Sequence, residues 1–480
     1  MLFNTIEFVI FLPIVFAIYW LLSKKLKLQN LFVVLASYMF YAWWDWRFLI
    51  ILFGMSFLSW GAGWLISREK YTFNFKPLTI QRVLMIGNVI IDIGILAVFK
   101  YYNFFVSSFA DLFGLQNSIH SLKIVLPLGI SFFTFQAISY VVDVYKRKIE
   151  PTNLIDCLFY IGFFPKLLAG PIERPTNFIP QIQKPRVFEY GLAVDGMRQI
   201  LWGAFKKIVV ADNCAIYVNQ VWGDYANQSG STLLLAAIFY TIQIYGDFSG
   251  NSDMAIGTAK LLGFRFRDNF LFPYFSRNVA EFWRRWHISL NTWFVDYVYV
   301  PLGGSRNGKW ITIRNTFVIF LLSGLWHGAN WTYVAWGLYH ALLFVPLIMM
   351  GATKKYKDTA TWQHIPQMLL TFALVVIGWI IFRSETIDQA WEIMCRICSI
   401  SVLTVPYLMT RTYYIPIVIW IGIMMLVEWY DRRTEHGLRT VSGLYKKAVS
   451  ICFYLALFIC VEYYFFRSIG HATGFIYFQF

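Results

Sequence analysis

Apolar runs long enough to cross a bilayer recur from one end of this 480-residue chain to the other. A helix needs about 20 mostly apolar residues to span a hydrocarbon layer of ~30 Å, where no water is present to satisfy backbone polar groups. The recurrence of such runs predicts an all-α polytopic membrane protein. A transmembrane β-barrel would need alternating segments of roughly ten residues, and none are visible. Only 14% of the residues are charged, well under the share in soluble domains. The 20 Trp and 29 Tyr suit interfacial belts and the walls of an apolar cavity.

The 41 Lys and Arg outnumber the 26 Asp and Glu, giving a net charge of +15. These cations fall in short loops between apolar runs, the pattern of cytoplasmic loops, and form no extended basic face for nucleic acid. Residues 6–22, 30–42, 48–66, 83–105 and 124–144 read as successive spans. They place the basic loops at 23–27, 68–82 and 146–148 on one side. The first run has no basic region before it and reads as an uncleaved span. Further spans are expected at 312–326, 331–350, 367–382, 414–430 and 448–466, with 264–285 facing the cytoplasm. The count comes to about ten to twelve spans in a single domain over 1–480, without internal repeat or separate soluble part.

Three stretches interrupt the alternation. Pro165, Pro171 and Pro175 cannot share one continuous helix with 154–169, so a broken or re-entrant segment is expected there. Lys206 and Lys207 suggest that 199–221 lies partly along the interface. Tyr245–Gly250 reads as a further polar, Gly-containing break.

Candidate chemistry concentrates in residues 281–345, which hold His287, His327 and His340. An ionisable side chain at membrane depth is costly and marks a functional site by default. His327 sits between Gly324 and Gly328, with Trp326 and Trp331 supplying bulky apolar walls. Water exclusion keeps such an imidazole neutral and able to take a proton from a hydroxyl or thiol. The alternative is a histidine that hydrogen-bonds two helix ends. Trp283, Trp286, His287 and Leu290 fall at i, i+3, i+4 and i+7, which predicts one helix face. Arg284 and Arg285 flank that face, and Glu281 can pair with Arg285. The arginines, with Trp286, suit the phosphates of a nucleotide-like donor, or equally the headgroups of lipids around an interfacial helix. His340 is expected first to make a helix-packing hydrogen bond and second to line an apolar cavity with Trp326 and Trp331. Asp92 needs an interior partner. The lone Cys395-Arg-Ile-Cys398 pair reads as buried small hydrophobes, so no metal site is expected. No H-E-x-x-H, Walker or G-x-S-x-G motif is present.

Five segments taken together carry a resemblance. They are Phe164-Pro-Lys-Leu-Leu-Ala-Gly-Pro-Ile172 with Glu173-Arg174, and Asp247-Phe-Ser-Gly250 with Asp253-Met-Ala-Ile-Gly257. The others are Phe282-Trp-Arg-Arg-Trp-His-Ile-Ser-Leu290, Tyr297-Val-Tyr-Val-Pro-Leu-Gly-Gly-Ser305 and Gly324-Leu-Trp-His-Gly-Ala329. In order and spacing the chain resembles the membrane-bound O-acyltransferase family, in particular its bacterial alginate and peptidoglycan O-acetyltransferase branch. The resemblance implies a ring of helices with re-entrant segments around a central funnel or tunnel. It implies His327 as the catalytic histidine and His287 as the second characteristic polar position. It further implies no bound cofactor, cytoplasmic acetyl-CoA as acyl donor, and an extracytoplasmic polysaccharide as final acceptor. A periplasmic SGNH-type partner and a place in the bacterial inner membrane complete the expectation. D-alanyl transfer, proton-coupled transport and a noncatalytic scaffold are the alternatives.

Overall fold

Helices account for all the regular structure among the described residues. The computed structural model describes residues 1–68, 79–114, 124–353, 355–356, 358–409, 411–439 and 447–468. Lys70, Lys76, His120, Lys354, Lys357, Lys446, His471 and the tail Gly474–Phe480 lie outside them. The described chain divides into two units, residues 1–196 with 255–267, and 197–254 with 268–480. The protein is a multi-pass membrane protein: among the described residues seven helices are long and apolar enough to cross a bilayer, and three shorter apolar helices accompany them.

The first unit begins with α1 (Ile6–Leu21), α2 (Leu26–Ala42) and α3 (Leu49–Arg68), followed by the 34-residue α4 (Ile80–Phe113) and α5 (Ile130–Tyr145). On α4, Asn88 donates to the Asp92 carboxylate at 2.7 Å and to Ser59 Oγ of α3 at 3.3 Å, so the buried acid has the interior partner it needs. The expected broken segment is present as α6 (Leu154–Gly162), the single turn α7 (Phe164–Leu167) and α8 (Pro175–Ile182). Pro165 and Pro175 sit in the first turns of α7 and α8, where a missing N–H costs no helical hydrogen bond. The break buries Lys166, which donates to Gln136 and lies over the Tyr160 ring. Buried Glu173 accepts from Asn177 at 2.7 Å and from the Arg267 backbone at 2.6 Å.

The second unit corrects three expectations. Cys395 and Cys398, expected to be buried, are exposed. Lys206 and Lys207 are buried rather than interfacial. They sit on a π-helical stretch, Phe205–Ala211, between α9 (Tyr190–Ala204) and α10 (Asp212–Gly223). Lys206 pairs with Asp253 at 2.7 Å and approaches Glu428 at 3.7 Å. Lys207 pairs with Asp212 and Asp247, both at 2.8 Å. These acids lie up to 222 positions away in sequence from the lysines they serve, which is why the lysines read as loop charges.

Nor is Tyr245–Gly250 a break, because α11 (Gly230–Leu261) runs through it. Its glycines are packing positions: a Cβ on Gly246 would stand 3.0 Å from the Lys206 carbonyl, and one on Gly250 would stand 2.6 Å from that of Gly203. Beyond it come α12 (Val279–Arg285), α13 (Ile288–Phe294), α14 (Lys309–His327), α15 (Trp331–Met349), α16 (Ile365–Arg383), α17 (Ile387–Ile397), α18 (Arg411–Tyr430) and α19 (Lys447–Ser468).

Candidate active site

Two helices folded back on each other carry His327. It is the last residue of α14, and α15 starts only after Gly328, Ala329 and Asn330. Asn330 makes the reversal by accepting from the Thr332 backbone at 3.0 Å. Glycines allow the two backbones to touch. A Cβ on Gly324 would lie 2.3 Å from the Tyr333 carbonyl, one on Gly337 would lie 2.3 Å from that of Phe320, and one on Gly328 would overlap the Tyr333 ring. His327 is 4% exposed and walled by rings: Trp326 at 4.9 Å, Trp336 at 5.1 Å and Phe382 at 5.3 Å between centroids.

His287 departs from the predicted helix face. The helix ends at Arg285, Trp286 is extended, and His287 takes the left-handed conformation (φ 43°, ψ 53°) before α13 begins. The motif is therefore a sharp corner, held by Ile288 N–H donating to the Asn269 carbonyl at 2.9 Å. Asn291 reinforces it, donating to the carbonyls of Trp283 and Trp286, both at 2.6 Å. Its four apolar-face residues, Trp283, Trp286, His287 and Leu290, are nonetheless all buried.

The corner fixes the protonation of His287. Asn269 Oδ1 accepts from the Ser289 backbone N–H at 3.3 Å and lies 2.9 Å from Ser289 Oγ. An atom receiving a backbone N–H is an acceptor, so His287 Nδ1, 3.0 Å from the same oxygen, carries the proton. That leaves the lone pair on Nε2. Asn269 is held in turn by its Nδ2 donation to Ser252 Oγ of α11 at 2.8 Å. Burial pushes His287 down to about 3, so the ring is neutral at physiological pH.

The two histidines are joined by one indole. Trp326 lies 4.9 Å from the His327 ring and 5.9 Å from that of His287. Phe248 closes on His287 edge-on at 4.6 Å. Trp336 links His327 to His340 at 5.1 Å on each side. His340 Nδ1 accepts from Trp283 Nε1 at 3.3 Å, the expected packing bond, and Gly378 leaves room for its other nitrogen.

The remaining candidates are placed differently. Trp286 is 1% exposed and packed against Phe270, Phe282 and Trp379. Arg284 donates to the Thr353 carbonyl at 2.9 Å. Arg285 pairs with Glu281 at 2.7 Å as expected, and Arg277 binds the same carboxylate at 3.1 Å. Burial alone would raise Glu281, but the two guanidiniums outweigh it and hold the acid below the usual carboxylate range. Trp331, 56% exposed at the start of α15, stands outside the buried aromatic wall.

Sequence reasoning passed over Asn269 and Ser252, and it named Asp247 and Asp253 without pairing them to Lys207 and Lys206. The one available signal was the adjacency of the two lysines within an apolar run.

The region holding all three histidines falls within a match to the family model described as MBOAT, membrane-bound O-acyltransferase family, which covers residues 130–387. The chain is 39% identical over 389 residues to a probable alginate O-acetylase AlgI of Pseudomonas aeruginosa, covering 80% of this chain and 72% of the relative. It is 32% identical over 426 residues to a peptidoglycan O-acetyltransferase of Helicobacter pylori, with 82% and 79% covered. A teichoic acid D-alanyltransferase of Bacillus subtilis is 31% identical over 273 residues, covering 54% of this chain and 69% of that protein.

Proposed function

Since the chain belongs to the membrane-bound O-acyltransferase family, and is thus an O-acyltransferase, we propose that it moves acetyl groups from cytoplasmic acetyl-CoA to a polysaccharide outside the bacterial inner membrane. The acetyl group is favoured over D-alanine because relatives named for acetylation match most of the chain, whereas the D-alanyltransferase matches about half. The acceptor class follows from the names of the same relatives: alginate-like exopolysaccharide or peptidoglycan.

The observation that carries the reading is the pairing of two buried imidazoles across Trp326. In this mechanism His327 is the general base. It takes the proton of an acceptor hydroxyl as the oxygen attacks the thioester carbonyl. The new C–O bond forms, the C–S bond breaks, and the departing thiolate recovers the proton as free thiol. His287, with its Nε2 lone pair facing away from Asn269, supports the donor side. Arg284 and Arg285 stand near the phosphates of the donor. The immediate acceptor is a glycan hydroxyl or a hydroxyl of an SGNH-type periplasmic partner.

The test measures ester-linked acetate on envelope and exported glycans in cells carrying wild type, His327→Ala or no protein, at matched membrane abundance. Loss in both the variant and the null supports the mechanism, and the fraction that lost acetate names the acceptor. Acetate lost only in the null would overturn the role of His327. Unchanged acetate with lost D-alanine esters would overturn the acyl group.

A further inference from the structure

A groove at the end of α1 belongs to no part of the acyl-transfer site. Along α1, Ile6, Val9, Ile10, Ile14, Ile18 and Leu21 are exposed, an apolar stripe suited to lipid in a membrane protein. The stripe stops at three exposed lysines, Lys24, Lys25 and Lys27. At that boundary a groove of about 580 Å³ opens, lined among others by Phe16, Trp20, Lys24, Arg186, Val187 and Phe188. Val187 and Phe188 come from the loop after α8 and are 83% and 46% exposed. Apolar side chains presented there cost free energy in water and are relieved of that cost against acyl chains.

The walls are fixed rather than adventitious. Trp20 Nε1 donates to the Leu261 carbonyl at 3.1 Å. Phe188 packs edge-on against Trp20 at 5.3 Å and Phe16 at 6.1 Å. Arg186, 7% exposed, is held by Gln29 at 2.7 Å, Asn30 at 2.5 Å and the Ile182 carbonyl at 3.0 Å. All of these partners are neutral, and among the described residues no carboxylate forms an ion pair with Arg186, Lys24 or the neighbouring exposed Lys184. Glu189, the acid on this loop, is occupied by Arg265 at 3.1 Å. The groove thus combines an aromatic wall continuous with the lipid-facing stripe and a cationic rim, in which Lys24 and Lys184 are exposed while Arg186 faces the Asp156 carboxylate through Asn30.

We propose that this groove binds one phospholipid with an anionic headgroup. The phosphate sits among Lys24, Lys184 and Arg186, and an acyl chain follows Phe16, Trp20 and Phe188 onto the α1 stripe. A zwitterionic headgroup brings its own cation into the rim and is disfavoured. A second copy of this chain would bring like charges to the same place and is disfavoured for the same reason.

Native mass spectrometry of the full-length protein in detergent, titrated with phosphatidylglycerol or phosphatidylcholine, tests the proposal. Wild type should retain one phosphatidylglycerol in preference to phosphatidylcholine. Lys24→Gln with Lys184→Gln should weaken that retention about thirtyfold, at roughly 1 kcal/mol per lysine near a phosphate. Phe188→Ser should weaken both lipids. Lys355→Gln, at an exposed cation of the other unit, should change neither. The substitutions are at exposed positions, and thermal stability measured alongside should match wild type. Equal binding of the two lipids, equal loss with Lys355→Gln, displacement by soluble glycerol phosphate, or self-association of wild type in place of lipid uptake would each overturn it.

Discussion

Asn269 shows how much a single amide can determine. Its carbonyl oxygen receives Ser289 and His287 Nδ1, and its NH2 is anchored on Ser252. Asn269→Leu should therefore leave His287 in place but free to take either tautomer, and acetyl transfer should fall about tenfold or more, as with other partners that orient histidines. Asn269→Asp keeps an acceptor and should restore part of the activity; quantifying glycan acetate in both variants checks this. His287 also predicts a pH dependence. Its pKa is about 3 when folded and roughly 6.5 when unfolded, so the unfolded chain binds the extra proton between those values. Stability should be complete above pH 6.5 and fall as pH drops, by about 2 kcal/mol at pH 5. Thermal unfolding in detergent at pH 7.5 and 5.0 should show this loss in wild type, and a smaller one in His287→Gln. At this scale the burial of His327 was legible because glycines and tryptophans frame it locally. Asn269 was not, because its meaning depends on a corner formed 18 positions later.

Elements break rules that single residues obey. The periodicity of Trp283, Trp286, His287 and Leu290 correctly identified what is buried, but not that two helices share the work. Nothing in a hydrophobic period announces a left-handed residue. The π-helical stretch was equally silent, since its lysines find their acids only after folding. Lys207→Met should be severely destabilising, by about 3–5 kcal/mol, because it leaves the buried Asp247 and the half-buried Asp212 without their shared cation. A sharp drop in detergent-extracted folded protein would be the readout. Gly337→Leu should be comparably damaging, since the added side chain must displace the Phe320 carbonyl of the facing helix. Size-exclusion profiles of the two variants would show aggregation where wild type is monodisperse.

For the whole molecule, composition and long apolar runs were enough to give an all-helical polytopic protein, since bilayer thickness imposes helix length. Charge was a poorer guide. Lys166, Lys206, Lys207 and Lys260 are buried and partnered, so they do not belong in a count of loop cations. The remaining exposed cations still predict one orientation. Reporter fusions after Lys27, Lys148 and Arg433 should all report the cytoplasmic side, and a single periplasmic result would break the scheme.

The α14–α15 reversal also limits how this protein can be redesigned. Where Gly324, Gly328 and Gly337 stand, no larger residue fits, so that side of the His327 chamber cannot be reshaped without losing the chamber. The opposite wall is made of side chains, Trp336 and Phe382 among them, whose trimming opens space and leaves the backbone where it is. If His327 is the base proposed above, efforts to admit a bulkier acyl group or a different acceptor should begin there.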